Sequence, residues 1–170
     1  MIGMKKVIVC TIVGFMAIAM SACHKYTSIE NGNALPADMV ATIDSVSWEA
    51  ADSTESAVVS QGLVTISGIS ADGQEISITL NDTVIGLYML NQTSASLAIY
   101  ANLDSVGGYA YSTNQGSDTS QAGGTVNLTA INAVNRTISG TFNFKVYRNS
   151  DGTRKDITAG FFYNIPYQDQ

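Results

Sequence analysis

One histidine, one tryptophan, two prolines and two cysteines are all that 170 residues hold of these types. Each scarcity excludes something. The only histidine, His24, stands beside Cys23 near the N-terminus, so no Ser-His-Asp triad or Cys-His pair can be assembled in the body of the chain. Histidine-based zinc sites fall for the same reason. Lys and Arg number 8 against 14 Asp and Glu, which argues against nucleic acid as a partner, because phosphate neutralisation needs clustered basic residues. Charged residues make up only 13% and apolar ones 45%, a balance that excludes an intrinsically disordered chain. There is no Walker-type phosphate loop and no dinucleotide fingerprint. Asn149 and Asp151 before Gly152 resemble part of a calcium loop, but its first Asp and terminal Glu are missing. No metal and no cofactor is expected.

The N-terminus is different in kind. Lys5 and Lys6 precede a run of 14 mostly apolar residues, Val7 to Met20. A bilayer-spanning helix needs about 20. The run fits the apolar region of a secretory signal, and the small residues Ser21 and Ala22 follow it. Met20-Ser21-Ala22-Cys23 resembles a bacterial lipobox. That resemblance implies removal of residues 1–22, diacylglycerol on the Cys23 thiol and acylation, palmitate included, of the new amino terminus. The alternative is an ordinary signal peptide with a chance cysteine. Cleavage would also remove Cys10, Lys5 and Lys6, leaving 6 basic against 14 acidic residues. With Cys23 lipidated no thiol remains for a disulfide, and the domain must stand on its hydrophobic core. Residues 23–38 read as the lipidated cysteine and a tether, with Asn31-Gly32-Asn33 and Pro36. Its 15 residues after Cys23 would span about 20 Å as a coil and about 50 Å stretched.

Residues 39–170 alternate with period two. Ile76, Ile78 and Leu80 alternate with Glu75, Ser77 and Thr79, and Val126 and Leu128 with Thr125, Asn127 and Thr129. The longest case puts Ile138, Gly140, Phe142, Phe144 and Val146 on one face and Thr137, Ser139, Thr141, Asn143 and Lys145 on the other. Such alternation marks strands with one wet and one buried face. Asp72-Gly73 and Asp151-Gly152 suit tight hairpin turns, and Asn135 closes a third. The expectation is an all-β domain, an antiparallel β-sandwich of about nine or ten strands, with a closed β-barrel as the alternative. The final strand is expected over residues 156–164, with Tyr163, Pro166 and Tyr167 covering a sheet edge. Ser112 to Gly124, polar and rich in Gly and Ser, reads as a mobile loop.

Several pieces in this order resemble a family of uncharacterised Bacteroidetes lipoproteins: the lipobox, Ala41-Thr42-Ile43-Asp44 with Trp48 and Ala50, and Gly86-Leu87-Tyr88-Met89-Leu90. Gly123 to Thr129, Ser139 to Phe144 and Ile157 to Phe162 continue it. The family has no activity to carry over. The resemblance implies an outer-membrane lipoprotein. Because the first acidic residue after Cys23 is Glu30, it is expected to face the periplasm, with surface display as the alternative. It also implies a host that glycosylates Ser or Thr after Asp and before an aliphatic residue, Met or Thr. Four such sites occur, at Ser45, Ser53, Thr83 and Ser105, where the composition predicts about one by chance. Turns that enrich Asp and Ser together account for part of the excess.

Two function classes follow. The first is a non-enzymatic envelope lipoprotein, anchored in a membrane, that serves as a structural or accessory binding module for an envelope protein or glycan. The second is a carbohydrate- or small-ligand-binding domain using Tyr109 and Tyr111, two apart on one face of a short strand after Gly107-Gly108. Rings so placed could stack on sugars; half-buried packing at a sheet edge is the structural alternative. A paired-carboxylate glycosidase needs only two acids. Here, however, Asp72, Asp82, Asp104, Asp118 and Asp151 lie in turn-like contexts, where Asp serves local hydrogen bonds. No catalytic residue is assigned.

Overall fold

The computed structural model describes residues 38–102 and 108–170. The expected signal peptide (residues 1–22), Cys23, nearly all of the expected tether and Ser105 lie outside the described residues. Eleven strands run in chain order: β1 (Asp38–Ile43), β2 (Val46–Glu49), β3 (Ser56–Ser60), β4 (Leu63–Ile69), β5 (Gln74–Leu80), β6 (Gly86–Leu90), β7 (Leu97–Asn102), β8 (Tyr109–Ser112), β9 (Gly123–Asn132), β10 (Thr137–Arg148) and β11 (Thr153–Asp169). The domain is all-β, as the alternation requires. Eleven strands form where about nine or ten were expected.

The strand order is β2-β1-β11-β3-β4-β5-β7-β8-β10-β9-β6, with β10 also paired to β11 along their length. The two long strands join two layers, one of β2-β1-β11-β10-β9-β6 and one of β3-β4-β5-β7-β8. The layers face each other. Gly68 on β4 lies against Met39, Trp48 and Ala50, where a Cβ would come within 2.9 Å of the Ala50 methyl. The Trp48 indole donates across to the Gln74 carbonyl at 3.2 Å. The pairing is antiparallel with one exception. Tyr167 to Asp169, the end of β11, run parallel to Ala57 to Val59 on β3.

That last strand corrects an expectation. The strand runs on to Asp169 instead of ending at 164, Tyr163, Pro166 and Tyr167 belong to it, and from Tyr167 on it covers the edge of β3 by pairing with it. Pro166 is tolerated mid-strand for a local reason. The neighbouring Tyr167 N–H points to β10 and donates to the Arg136 carbonyl, so the Pro166 nitrogen faces the other side. There β1 pairing ends at Tyr163 and β3 pairing begins at Tyr167, and no partner carbonyl is denied a donor.

Two bulges bend β11 so that it can serve both layers. Between Phe142 and Phe144 on β10, and again between Ile138 and Gly140, two β11 residues oppose one. Ala159 and Asn164 take positive φ there, 50° and 51°. Their displaced N–H groups are caught by the opposing side chains, Ala159 by Asn143 Oδ1 and Asn164 by Ser139 Oγ, both at 2.9 Å. The bulges bring aromatic rings over glycines. Phe142 covers Gly160, Phe162 covers Gly140, and Phe142 stacks on Phe144 and Phe162 with centroids 5.5 and 6.3 Å apart. Phe142 and Phe144 are buried as the alternation requires, and so is Trp48.

The turns follow the same chemistry. Gly73 and Gly152 take positive φ at the expected hairpins. In the β9–β10 turn the left-handed residue is Arg136, and Asn132 Oδ1 caps the loop by accepting from Val134 and Asn135 N–H. The β1–β2 hairpin is tighter: Asp44 and Ser45 form a two-residue turn with φ of 48° and 72°, both in the left-handed region that this turn type demands. The segment between β8 and β9 is a loop, as expected, and side chains tie it to its neighbours. Gln92 Nε2 donates to the carbonyls of Gln115, Asp118 and Ala122. Thr113, fully buried, accepts the Ala98 N–H through Oγ1.

Candidate functional site

Tyr109 and Tyr111 sit on β8, opposite Asn102 and Tyr100 of β7. Because side chains two apart share a face, the structure brings three tyrosines together. Tyr109 and Tyr111 meet edge to face at 5.6 Å, and Tyr100 lies 5.9 Å from Tyr111 and 6.4 Å from Tyr109. A cation completes the cluster. The Arg148 guanidinium, at the end of β10, lies 4.7 Å from the Tyr111 ring centre and 5.2 Å from that of Tyr109. Asp151 grips Arg148 from the other side through both carboxylate oxygens.

Hydrogen bonds fix the rest. Thr153 Oγ1 lies 3.2 Å from the Tyr111 hydroxyl and 2.7 Å from Asp151 Oδ1. Tyr100 donates to Gln74 Oε1 at 3.1 Å. Arg148 and Thr153 beside Asp151 hold its carboxyl well below the usual carboxylate range. Burial, then the neighbouring Tyr109, pushes the Tyr100 hydroxyl well above the usual phenol value. Tyr111 is only 5% exposed. Tyr109 is half-buried, and the rings face one another and Arg148. The cluster lies where β8 meets β10 through a single residue pair, Ser112 with Tyr147, so its cation–π and ring contacts reinforce the weakest seam between the layers.

Three of the four Asp-Ser/Thr sites fall in the described residues, and all three hydroxyl-bearing residues are exposed. Ser45 is at the apex of the β1–β2 turn, Ser53 has φ of 69°, and Thr83 precedes β6. Their aspartates have local work. Asp44 accepts from Lys155 Nζ at 2.7 Å and from the Asp156 N–H at 3.0 Å. Burial acts to raise the Asp44 pKa, but these two donors outweigh it and lower it. Asp82 accepts from the Thr83 N–H at 2.6 Å.

Sequence reasoning missed two features. One is an open cleft of about 430 Å³ beside β2, lined by Trp48, Glu49, Asp52, Ser70, Asp72 and Gln74 among others. Nothing in the sequence joins those segments before the layers are known. The other is β6, where Leu87 and Met89 point outward and are exposed. Its signal was present: Gly86-Leu87-Tyr88-Met89-Leu90 has no polar residue on either face. Among the described residues no group of three or more His, Cys, Asp or Glu gathers.

Residues 36–166 match the model of a family described as a domain of unknown function, DUF6252. No curated protein and no solved structure matches the chain.

Proposed function

The chain belongs to the DUF6252 family, and we propose that it is a cell-envelope lipoprotein, of the type the resemblance to Bacteroidetes lipoproteins implies. Its β-domain acts as a non-enzymatic structural or accessory binding module at the outer membrane. The observation that carries this reading is the segment Met20-Ser21-Ala22-Cys23 directly behind the apolar run Val7 to Met20, with β1 beginning 15 residues later at Asp38. The distance suits a lipid anchor, since a coil of that length keeps a domain beside the headgroups. One acyl chain holds a protein only marginally, each buried CH₂ contributing about 0.8 kcal/mol; the three chains of a mature lipoprotein make attachment stable.

The use of the acids and tyrosines supports the non-enzymatic part. Asp44 and Asp151 hold Lys155 and Arg148, and the tyrosines pack on one another. The test is direct. Grown with an alkynyl palmitate analogue, the wild-type chain should take up label and partition with the outer membrane, and Cys23→Ser should lose both properties. A Cys23→Ser chain that stays in the membrane fraction and carries label refutes the anchor.

A further inference from the structure

The order of strands ends in two edges, β2 and β6, and they are built differently. β2 has four residues, carries Glu49 and begins beside the Asp44–Lys155 ion pair. Such short, charged edges resist pairing with another chain. β6, five residues long, lacks the charge. No charged residue occurs from Thr83 to Leu103. Leu87 and Met89 are 66% and 57% exposed, and Val84 and Ile85, just before the strand, are 62% and 56% exposed. The adjacent strands of the same layer turn Asn127, Thr129, Thr141 and Asn143 outward instead.

Among the described residues no strand pairs with the outer side of β6. The Leu90 carbonyl lies against Gly123 on β9, so the alternate residues Leu87 and Met89 direct their N–H and C=O groups away from β9. The Ser94 hydroxyl reaches the Met89 carbonyl on that outer side at 2.6 Å, and a carbonyl retains a second lone pair. We propose that β6 is a self-pairing edge: two copies of this chain join β6 to β6, antiparallel, about a two-fold axis at Tyr88. That register sets Leu87 against Met89 of the second copy, and the reverse, so the outward-facing N–H and C=O groups of one copy meet complementary groups in the other. It also lays Val84, Ile85, Leu87 and Met89 of both copies along one continuous surface.

Charge and backbone hydrogen bonding favour a second copy over other occupants. The four side chains expose roughly 400–500 Å² on each copy, within what a monomer shows in its largest patch. Edge pairing buries the strand backbones and the flanks of these side chains, an interface below the roughly 1,200 Å² of standard specific ones and of the size that weak, transient contacts have. The chain carries a net charge of −6, so two copies repel over most faces, and this uncharged edge is where they can meet. A lipid surface would leave the Leu87 and Met89 amides unpaired, and the patch offers no Lys or Arg to headgroups.

The test is photo-crosslinking in the full-length chain expressed in its host, with p-benzoylphenylalanine placed at position 87 or, as control, at position 63 on the other layer. The expected result is an adduct of twice the chain mass from position 87 and not from 63. Adding Met89→Lys should reduce it at least tenfold while circular dichroism remains unchanged. If Met89→Lys does not fold, Ile85→Lys, outside the strand, takes its place with the same expectation. No adduct, an adduct with a different protein or with lipid, an equal adduct from position 63, or a dimer indifferent to the lysine overturns the proposal.

Discussion

Adding one methyl group to Gly160 should cost stability, and removing the ring opposite should erase that cost. A Cβ at Gly160 would come within 2.6 Å of Phe142 Cζ and closer still to Cδ2 and Cε2. Gly160 is not in the left-handed region, so overpacking and not backbone strain sets the penalty for Gly160→Ala. Forced methyls in a tight core cost about 1–3 kcal/mol. Phe142, 1% exposed and stacked on two other rings, should cost about 3–5 kcal/mol when cut to Ala. Additivity would put the double variant at about 4–8 kcal/mol, enough to unfold many domains of this size. Relief of the clash predicts about 3–5 kcal/mol instead, a coupling about as large as the whole effect of Gly160→Ala. Urea unfolding can read this through Trp48, the only tryptophan, 3% exposed between the layers. Effects that add within about 0.5 kcal/mol would mean that the Phe142 ring does not lie on Gly160.

Three further outcomes are expected. Asp44→Asn should lower the melting temperature at pH 7, in line with about 0.2–1 kcal/mol for an exposed ion pair. Because the Asp44 pKa is lowered on folding, its contribution is present above the unfolded value of about 3.9 and is lost as pH falls through the folded one. The gap between wild type and variant should therefore close in acid; a gap that widens below pH 4 contradicts the assignment. Arg148→Leu should lower the urea midpoint through loss of the tyrosine contacts, with Arg148→Lys recovering only part by the same denaturation assay. The intact mass of the protein from its native host should exceed that of the lipidated polypeptide by glycan increments at Ser45, Ser53, Thr83 or Ser105; an unmodified mass removes glycosylation.

What was legible in the sequence was what depends on neighbours along the chain. The two-residue period of β10 fixed the faces of Phe142 and Phe144, and Asp-Gly pairs marked two hairpins. Contacts made after the sheet folds over were not legible. The bulges at Ala159 and Asn164 depend on Asn143 and Ser139 reaching across to stray N–H groups, and no pattern within β11 announces them. The extension of β11 to Asp169 was hidden by Pro166, which reads as a strand breaker until the gap between β1 and β3 is known. Tyr109 and Tyr111 were correctly placed on one face. Their spacing could not reveal that Tyr100 and Arg148 would close over them, since those residues come from strands β7 and β10.

Anchoring and edge pairing bear on each other through concentration. An interface below the standard size binds weakly, and a dissociation constant of 1 mM corresponds to only about −4.1 kcal/mol. Free in dilute solution, such a pair is almost wholly dissociated. Attachment through a short flexible linker raises the effective concentration to about the millimolar range when the anchors are close. If Cys23 is acylated, β6 pairing is expected on the membrane and absent in solution. Sedimentation of a Cys23→Ser chain at micromolar concentration should then give a monomer, while the anchored chain gives the position-87 adduct. A Cys23→Ser chain that is still dimeric at nanomolar concentration would refute this reasoning, because no strand of five residues with four apolar side chains around it supplies that affinity.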